Sequence, residues 1–282
     1  MKTRNKTMIF LVTLCLITLL TVPAPVLAAE STVNLGTTAS FAVLAGESIT
    51  NTGPTTIGGS VGGNIGVSPG TSVTGFPPGI VSDGTIHSAD ATALQAQVDL
   101  VTAYNDAASR AVTADLTGQD LGGKTLTAGV YSFSSSAQLT GTLILDAQGD
   151  PEAVFIFQIG TTLTTASSSV VSLINGARFC RVFWQVGSSA TLGTSTDFVG
   201  HVFALTSIAA QTGATVQGQL LARNGAVTLD NNTITNGVCD DGATPTPTPT
   251  TGATPTPTTG ATPTPTTGAS PTPTTAPDDE IP

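Results

Sequence analysis

The side chains best suited to acid–base or metal chemistry are two histidines, His87 and His201, and one small acidic cluster. A zinc site on the two histidines would need a third ligand, and no motif supplies one at a recognisable spacing. The acidic cluster consists of Asp146, Asp150 and Glu152, and a carboxylate pair about 5–10 Å apart can cleave a glycosidic bond. Because glycine and proline are interleaved with these carboxylates, a solvated turn is favoured over a catalytic pair. The sequence therefore predicts no metal, no cofactor and no enzyme.

A different kind of surface is indicated by short triplets in which an apolar residue lies between two small or polar residues. Alternation along a strand would turn the apolar residue inward and its neighbours to solvent. Stacked strands lie about 4.8 Å apart and residues i and i+2 about 6.7 Å apart, so outward threonines would form a grid of hydroxyl and methyl groups that can hold water in an ice-like array. Threonine also suits ordinary strand surfaces, so both interpretations stay open. The triplets are Gln138-Leu139-Thr140, Thr162-Leu163-Thr164, Thr191-Leu192-Gly193, Ala209-Ala210-Gln211 and Thr228-Leu229-Asp230, and the candidate contact residues are Gln138, Thr140, Thr162, Thr164, Thr191 and Thr228.

Several of these triplets belong to a region that repeats itself three times between Val182 and Gly237, at intervals of about 18 to 20 residues. A unit of that length is too short to bury a core alone. Successive units must therefore stack, and a stack of short β-rich units is a β-solenoid. The apolar stretches that open the three units are Val182-Phe183-Trp184-Gln185, Val202-Phe203-Ala204-Leu205 and Leu220-Leu221-Ala222-Arg223.

One helix is predicted over residues 87 to about 113, with Ser88 as its N-cap. Apolar residues recur there at helical spacing, so the helix is expected to pack along one face of the solenoid and to cover its apolar side. The residues of this predicted stripe are Leu94, Val98, Val101, Tyr104, Ala108 and Val112.

Residues 124–237 have the composition of strands, and the clearest are residues 129–133, 139–145 and 153–159. In the last of these, Phe155 and Phe157 alternate with Val154 and Ile156. Because both sides of that strand are apolar, we expect it to lie between the solenoid interior and the helix. Residues 31–86 contain many glycine and proline turns, and no strand can be placed well within them.

Both ends of the chain differ from its middle. Residues 1–28 have the pattern of a secretory signal peptide, with a basic start, an apolar run short for a membrane span and a small-residue cleavage site at Val26-Leu27-Ala28. Cleavage is predicted after Ala28, with Ala29 as the alternative. A retained N-terminal anchor is the alternative. Residues 241–282 form a Thr/Pro-rich tail that cannot bury a core and is expected to be a disordered stalk. A single domain is therefore predicted over residues 29–240 of a protein that is secreted, free or attached at the cell surface.

Charge and cysteine content bound the function further. The net charge is −10, which argues against nucleic acid and anionic membranes as partners. Charged residues make up only 9% of the chain, fewer than a helical globular enzyme normally carries. Cys180 and Cys239 lie beyond the signal segment, and an even number in an exported protein predicts one disulfide between them. Two unpaired buried thiols are the alternative.

Several stretches match a known family in order and spacing across about residues 31–237. They are Phe41-Ala-Val-Leu-Ala-Gly46, the glycine-rich run from Gly58 to Gly66, Leu126-Thr-Ala-Gly-Val-Tyr131, Val154-Phe-Ile-Phe157, Val182-Phe-Trp-Gln-Val-Gly187 and the run from Leu220 to Leu229. In these stretches the chain resembles the secreted microbial ice-binding protein family. The resemblance implies a right-handed, discontinuous β-solenoid of triangular cross-section with one long α-helix alongside. It also implies a flat face with Thr-x-Thr-like arrays that binds ice, a pattern kept in full only at Thr162 and Thr164.

Two functions follow from these observations. The first is an ice-binding protein, expected to be monomeric, that adsorbs to crystals through the threonine-rich face and restrains their growth or recrystallisation. The second is a cell-surface adhesion or matrix module that binds a cell-wall or extracellular glycan or a protein. Neither requires a cofactor, nor insertion into a membrane once the signal segment is removed.

Overall fold

A computed structural model of the chain describes residues 30–60, 62–237 and 239. These residues form strands β1 to β22, two 3₁₀ helices and one α-helix. The predicted signal segment, residues 1–28, and the predicted tail, residues 241–282, lie outside the described residues. Within the described ranges, no helix is both long enough and apolar enough to cross a membrane.

The elements follow one another in three groups. The first group starts with a 3₁₀ helix at Gly36–Ser40 and contains β1 (Phe41–Ala45), β2 (Ser48–Thr52), β3 (Thr56–Gly59), β4 (Asn64–Val67), β5 (Ser72–Thr74), β6 (Ile80–Val81), β7 (Ile86–Ser88) and helix α1 (Ala91–Ser109). The second contains β8 (Ala114–Asp115), β9 (Thr125–Thr127), β10 (Gly129–Phe133), β11 (Ala137–Leu139), β12 (Thr142–Asp146), β13 (Phe155–Ile159), β14 (Leu163–Thr165) and β15 (Val170–Ile174). After a 3₁₀ helix at Phe179–Arg181, the third contains β16 (Val182–Val186), β17 (Ala190–Leu192), β18 (Asp197–Ala204), β19 (Ile208–Ala210), β20 (Thr215–Ala222), β21 (Val227–Asp230) and β22 (Thr233–Asn236).

The strands stack as parallel ladders on three faces, which confirms the predicted β-solenoid. The helix face runs through β8, β10, β13, β16, the ends of β18 and β20, and then β1, β4 and β7. The second sheet consists of β11, β14, β17, β19, β21, β2 and β5. The third face runs through β9, β12, β15, the starts of β18 and β20, and then β22, β3 and β6.

Glycine allows two long strands to turn the corner between the third face and the helix face. Both β18 and β20 are eight residues long, and they bend at Gly200 (φ 112°) and Gly218 (φ 143°). A Cβ atom at Gly218 would lie 2.0 Å from the carbonyl oxygen of Gly200 in the coil beneath. Only glycine fits this corner, because the stacked backbones leave no room for a side chain and φ is positive.

The coils do not stack in sequence order. The first coil, made of β1, β2 and β3, lies on the last one, where β1 pairs with β20, β2 with β21 and β3 with β22. We call this junction between the two ends of the domain the seam. It makes the solenoid discontinuous, as the family resemblance implies.

The interior is divided between two apolar clusters. Phe155 and Phe157 lie in the solenoid core, where Phe157 stacks on Trp184 with ring centroids 3.9 Å apart. Val154 and Ile156 belong to the cluster beneath the helix. The prediction that this strand separates the interior from the helix is therefore confirmed.

Helix α1 is shorter than predicted, and its cap is a different residue. Residues 86–88 pair with β4 instead of starting the helix. Asp90 is the N-cap, because its carboxylate accepts a hydrogen bond from the Ala93 amide at 2.8 Å. Ser88, the predicted cap, donates its hydroxyl to the carbonyl of Thr71.

The predicted apolar stripe of the helix is wrong except at Tyr104. The relative exposures of Leu94 and Val98 are 57% and 53%, and Val101, Ala108 and Val112 are exposed as well. Small side chains let the helix lie close to the sheet, so a second stripe with the same period is buried instead. Its members are Ala93, Ala96, Gln97, Leu100, Ala103, Tyr104 and Ala107.

Three other sequence predictions, one disulfide and two strands, have clear outcomes. Cys180 and Cys239 form the predicted disulfide, with Cα atoms 5.6 Å apart. Residues 139–145 are not one strand, because the chain turns between β11 and β12 at Gly141, where φ is 86°. The predicted strand over residues 129–133 is confirmed as β10.

Candidate functional site

The outer face of the second sheet carries one column of side chains in register across all seven strands. Threonine occupies most positions, and the described column contains no charged residue. Thr50 and Thr228 are close enough for their hydroxyl oxygens to lie 3.5 Å apart. In stacking order the column is Gln138, Thr164, Thr191, Ala209, Thr228, Thr50 and Thr74. All are exposed except Thr191 and Ala209, which are partly exposed.

The triplet Thr162-Leu163-Thr164 lies two residues out of the register predicted against the other triplets. Leu163 lies in register with Ala137 and Ala190, whereas Leu139 lies in register with Thr165. Thr164 therefore joins Gln138, Thr191 and Thr228 in the central column. Thr162, predicted for that column, lies one residue before β14 and is partly exposed.

The remaining candidate, Thr140, is exposed one residue beyond β11. Its amide donates to the carboxylate of Asp120 at 2.9 Å, and Gly122 donates to the same oxygen at 2.6 Å. Burial raises the pKa of Asp120, but the hydrogen bonds from Gly122 and Thr140 outweigh burial, so the pKa is lowered. The ionised carboxylate thus fixes the end of the sheet at its Gln138 edge.

Sequence reasoning missed two residues of the column, Thr50 and Thr74. Both lie in the glycine- and proline-rich N-terminal region, where no periodicity identifies strands. They join the column only because the seam places β2 on β21, with Thr50 opposite Thr228 at a sequence separation of 178 residues. The only local signal was the alternation Ser48-Ile49-Thr50-Asn51-Thr52, in which Ile49 and Asn51 are buried.

Buried hydroxyl groups hold the corner between the second sheet and the third face. Thr165 points inward, 3% exposed, and accepts a hydrogen bond from the Gly193 amide at 2.8 Å. Its hydroxyl also lies 3.0 Å from that of Thr196 in the next coil. Ser169, fully buried, donates to the carbonyl of Leu139 at 2.9 Å. Because these bonds run between coils, they restrain the spacing of the outward column.

The two histidines considered for a metal site, His87 and His201, are not brought together. His87 lies on β7 and its Nδ1 is 2.7 Å from Asp90 Oδ2, whereas His201 lies on β18, several strands away in the helix face. His201 is 1% exposed against the ring of Phe183, and burial lowers its pKa to about 4. The described residues contain no group of three His, Cys, Asp or Glu that could hold a metal ion.

The acidic cluster forms the predicted solvated turns. Asp146 accepts hydrogen bonds from the Gln148 amide and the Asn175 side chain, each at 2.8 Å. Asp150 accepts one from the Glu152 amide at 2.8 Å, and Glu152 forms an ion pair with Arg181. These carboxylates therefore stabilise local turns and the 3₁₀ helix that follows.

One serine has the flanking glycines of a hydrolase nucleophile. Ser60 lies in the sequence Gly58-Gly59-Ser60-Val61-Gly62, which fits Gly-x-Ser-x-Gly. A nucleophile elbow joins a strand to a helix, whereas this segment joins β3 to β4 at a solenoid corner. The spacing therefore reflects the close packing of stacked backbones, since a Cβ atom at Gly59 would lie 1.7 Å from the Asn236 carbonyl oxygen.

Comparison with known proteins gives one consistent family. Residues 43–235 match the model of the family described as ice-binding-like. An ice-binding protein of Nostoc sp. (strain HG1) is 59% identical over 203 residues, which cover 72% of this chain and 73% of the relative. Ice-binding protein 1 of Shewanella frigidimarina is 36% identical over 232 residues, which cover 71% of this chain and 26% of the relative.

Solved structures agree with the sequence relatives. The crystal structure of an ice-binding protein from an Antarctic biological consortium superposes with a TM-score of 0.71 at 48% identity, over 74% of this chain and 93% of that one. The ice-binding protein of the Antarctic ascomycete Antarctomyces psychrotrophicus gives a TM-score of 0.69 at 46% identity, over 73% and 98% of the two chains. The solenoid fold is thus shared across the matched region.

Proposed function

Because this chain belongs to the ice-binding-like family, we propose that it binds ice crystals and that the outer face of the second sheet makes the contact. The observation that carries the proposal is the central column, in which Thr164, Thr191, Thr228, Thr50 and Thr74 lie in register on parallel strands. Gln138 is the first member of this column, and the candidate residues Thr140 and Thr162 lie beside it. Water held on such a surface can merge with the outermost layer of a crystal.

The side chains of the column suit contact with a rigid lattice. Threonine has a single stiff side-chain torsion, so little rotamer freedom is lost when its position is fixed. A surface without charges also avoids the cost of removing ionised groups from bulk water. Adsorption through such a face restrains the growth of a crystal without any catalytic residue or cofactor.

The hydroxyl groups beside the column are held in place as well. Ser189 accepts a hydrogen bond from the Ser207 amide, and Ser207 accepts one from the Ala226 amide, each at 3.3 Å. Each serine thus ties its coil to the next at the edge of the second sheet. This supports a contact surface that is ordered before ice arrives.

Measurements of thermal hysteresis and ice recrystallisation on the secreted protein test the proposal. Thr164→Tyr places a bulky ring in the column and should abolish ice shaping without a change in the circular-dichroism spectrum or melting temperature, because the position faces solvent. Thr142→Tyr, at an exposed position on the third face, is the matched control and should retain full activity. A wild-type protein that leaves ice crystals unaffected would refute the function, and equal activity of Thr164→Tyr and wild type would refute the face.

We also infer that the protein is exported, by cleavage after Ala28, and acts as a monomer. The family and the signal-like N-terminus support export. The comparisons give no support to the adhesion alternative or to a glycan partner. Mass spectrometry of the secreted protein tests the cleavage position, and sedimentation tests the monomer.

A further inference from the structure

The two coils that meet at the seam are far apart in the sequence, so no short connection between them sets the register of their strands. The second-sheet strands of the seam meet with Ile49 opposite Val227 and Asn51 opposite Leu229, all inward. A slip of one residue would turn these side chains to solvent, but a slip of two would preserve the alternation. The apolar pattern therefore excludes only odd slips, and other contacts must exclude the even ones.

A buried amide at the end of β22 makes such contacts. Asn236 is 2% exposed. Its Nδ2 donates to the carbonyl oxygens of Ala39 at 2.9 Å, Phe41 at 3.3 Å and Gly62 at 3.2 Å, and its Oδ1 accepts from the Gly237 amide at 2.9 Å. These three acceptors belong to the two coils beyond the seam. One side chain thus ties the last coil of the sequence to both coils of the N-terminal region.

A second amide, on β20 at the start of the same coil, supports the first. Gln219 is fully buried, and its Nε2 donates to the carbonyl oxygens of Thr38 at 2.7 Å and Phe41 at 2.5 Å. A slip of two residues would move these acceptors by about 6.7 Å. The amide hydrogens of both side chains would then be buried without partners, which is costly in a protein interior.

We propose that Asn236 is a positioning residue for the ice-contact surface: it fixes the register of the seam, so that Thr50 and Thr74 stand in line with Thr228. This inference rests on the proposed function. A slip of two residues would leave Thr50 opposite Ala226, one residue before β21, or opposite Asp230, at the end of β21. The threonine column would then be broken although the coil still packed.

The test compares two amide deletions in the full-length secreted protein. Asn236→Ala should lose more than half of the thermal hysteresis at a temperature where it remains folded. Gln158→Ala is the matched control, because Gln158 Nε2 also donates to two carbonyls, those of Ala107 and Arg110 at 2.9 Å each, but at the end of the helix. It should lose stability and keep its thermal hysteresis.

An engineered disulfide across the seam on the third face distinguishes an effect of Asn236 on register from an effect on stability. Thr56 and Thr233 are directly paired across the seam on the third face, at a separation of about 4.8 Å that a disulfide can span. Oxidation of the pair Thr56→Cys and Thr233→Cys in the Asn236→Ala background should restore thermal hysteresis, and reduction should abolish it again. Peptide mapping confirms that the native Cys180–Cys239 pair is unchanged.

Three results would overturn the inference: full thermal hysteresis in Asn236→Ala, an equal loss in Gln158→Ala, or no recovery in the oxidised double-cysteine protein. If Asn236→Ala does not fold, Asn236→Ser, which keeps one donor, should show a smaller loss of the same kind. If wild type has no effect on ice, the proposed function has failed. In that case the rate at which the disulfide of the Thr56→Cys/Thr233→Cys pair forms measures the register. The double-cysteine protein that retains Asn236 should oxidise faster than the one that also carries Asn236→Ala. Equal rates would contradict the inference.

Discussion

The second sheet and the third face are built from the same coils, and the outer surface of each carries exposed threonines. On the third face these include Thr142, Thr215, Thr233 and Thr56, and the last three are consecutive in their ladder. A count of threonines therefore does not tell the two faces apart. What differs is whether the outward side chains remain equivalent from one strand to the next.

The third face loses that equivalence between β15 and β18. These strands pair only at Val170 opposite Asp197, so an aliphatic and a charged side chain interrupt the threonines. Beside this break lies a groove of about 360 Å³, lined by Asp197, Phe198, Val199, Thr215, Val216, Gln217, Thr233 and Thr235. A crystal plane cannot follow a groove, whereas the second sheet keeps its register through all seven strands. Continuity of register, not composition, therefore distinguishes the candidate binding face.

The largest effect is expected from removal of the disulfide, which lies beside the third face. Cys180 and Cys239 close a loop of 59 residues, and loss of such a cross-link costs about 4 kcal/mol in the chain-entropy model. In the double variant Cys180→Ser/Cys239→Ser, denaturant unfolding should show this loss. Thermal hysteresis of the folded protein should persist, because the second sheet is untouched. Loss of ice activity without loss of stability would mean that the two faces are coupled.

Acidification should destabilise the helix face while leaving the threonine column unchanged. Burial lowers the pKa of His201 from 6.5 to about 4. The unfolded chain therefore binds a proton more readily, so stability is full above about pH 6.5 and falls as pH drops towards 4, by up to about 3 kcal/mol. Unfolding at pH 7 and pH 4 measures this loss, and His201→Leu should not show it.

The contribution of His201 to stability is lost at a higher pH than the contributions of the carboxylates. Hydrogen bonds lower the pKa of Asp90 and Asp99 below 3.8, so their contribution is lost only in stronger acid. The described threonine column has no titrating group, and thermal hysteresis per folded molecule should stay constant across the window. A decline of activity that precedes unfolding would contradict this.

The smallest effect is expected from filling the gap in the column. Ala209 lies between Thr191 and Thr228, so Ala209→Thr should increase thermal hysteresis modestly. Val170→Thr fills the corresponding gap on the third face, where Val170 lies between Thr142 and Asp197, and should change nothing. A gain from Val170→Thr alone would assign binding to the wrong face.

The repeats between Val182 and Gly237 predicted stacking, the second-sheet strands and their inward leucines. The one error of register came from Thr165, a polar residue that is buried because Thr196 and Gly193 satisfy its hydroxyl. The seam could not be predicted, because Thr50 and Thr228 are 178 residues apart in the sequence and no local pattern indicates that they pair. The helix was predicted with its wrong side inward, because Leu94 and Val98 are more apolar than the alanines that pack more closely.

The thermal hysteresis of Thr50→Tyr compared with that of Thr233→Tyr decides which of the two faces binds ice. Both positions are exposed and lie in adjacent coils at the seam, one on the second sheet and the other on the third face. Circular dichroism and melting temperature should match wild type in both. We expect Thr50→Tyr to lose thermal hysteresis and Thr233→Tyr to retain it. Retention in Thr50→Tyr together with loss in Thr233→Tyr would contradict this expectation.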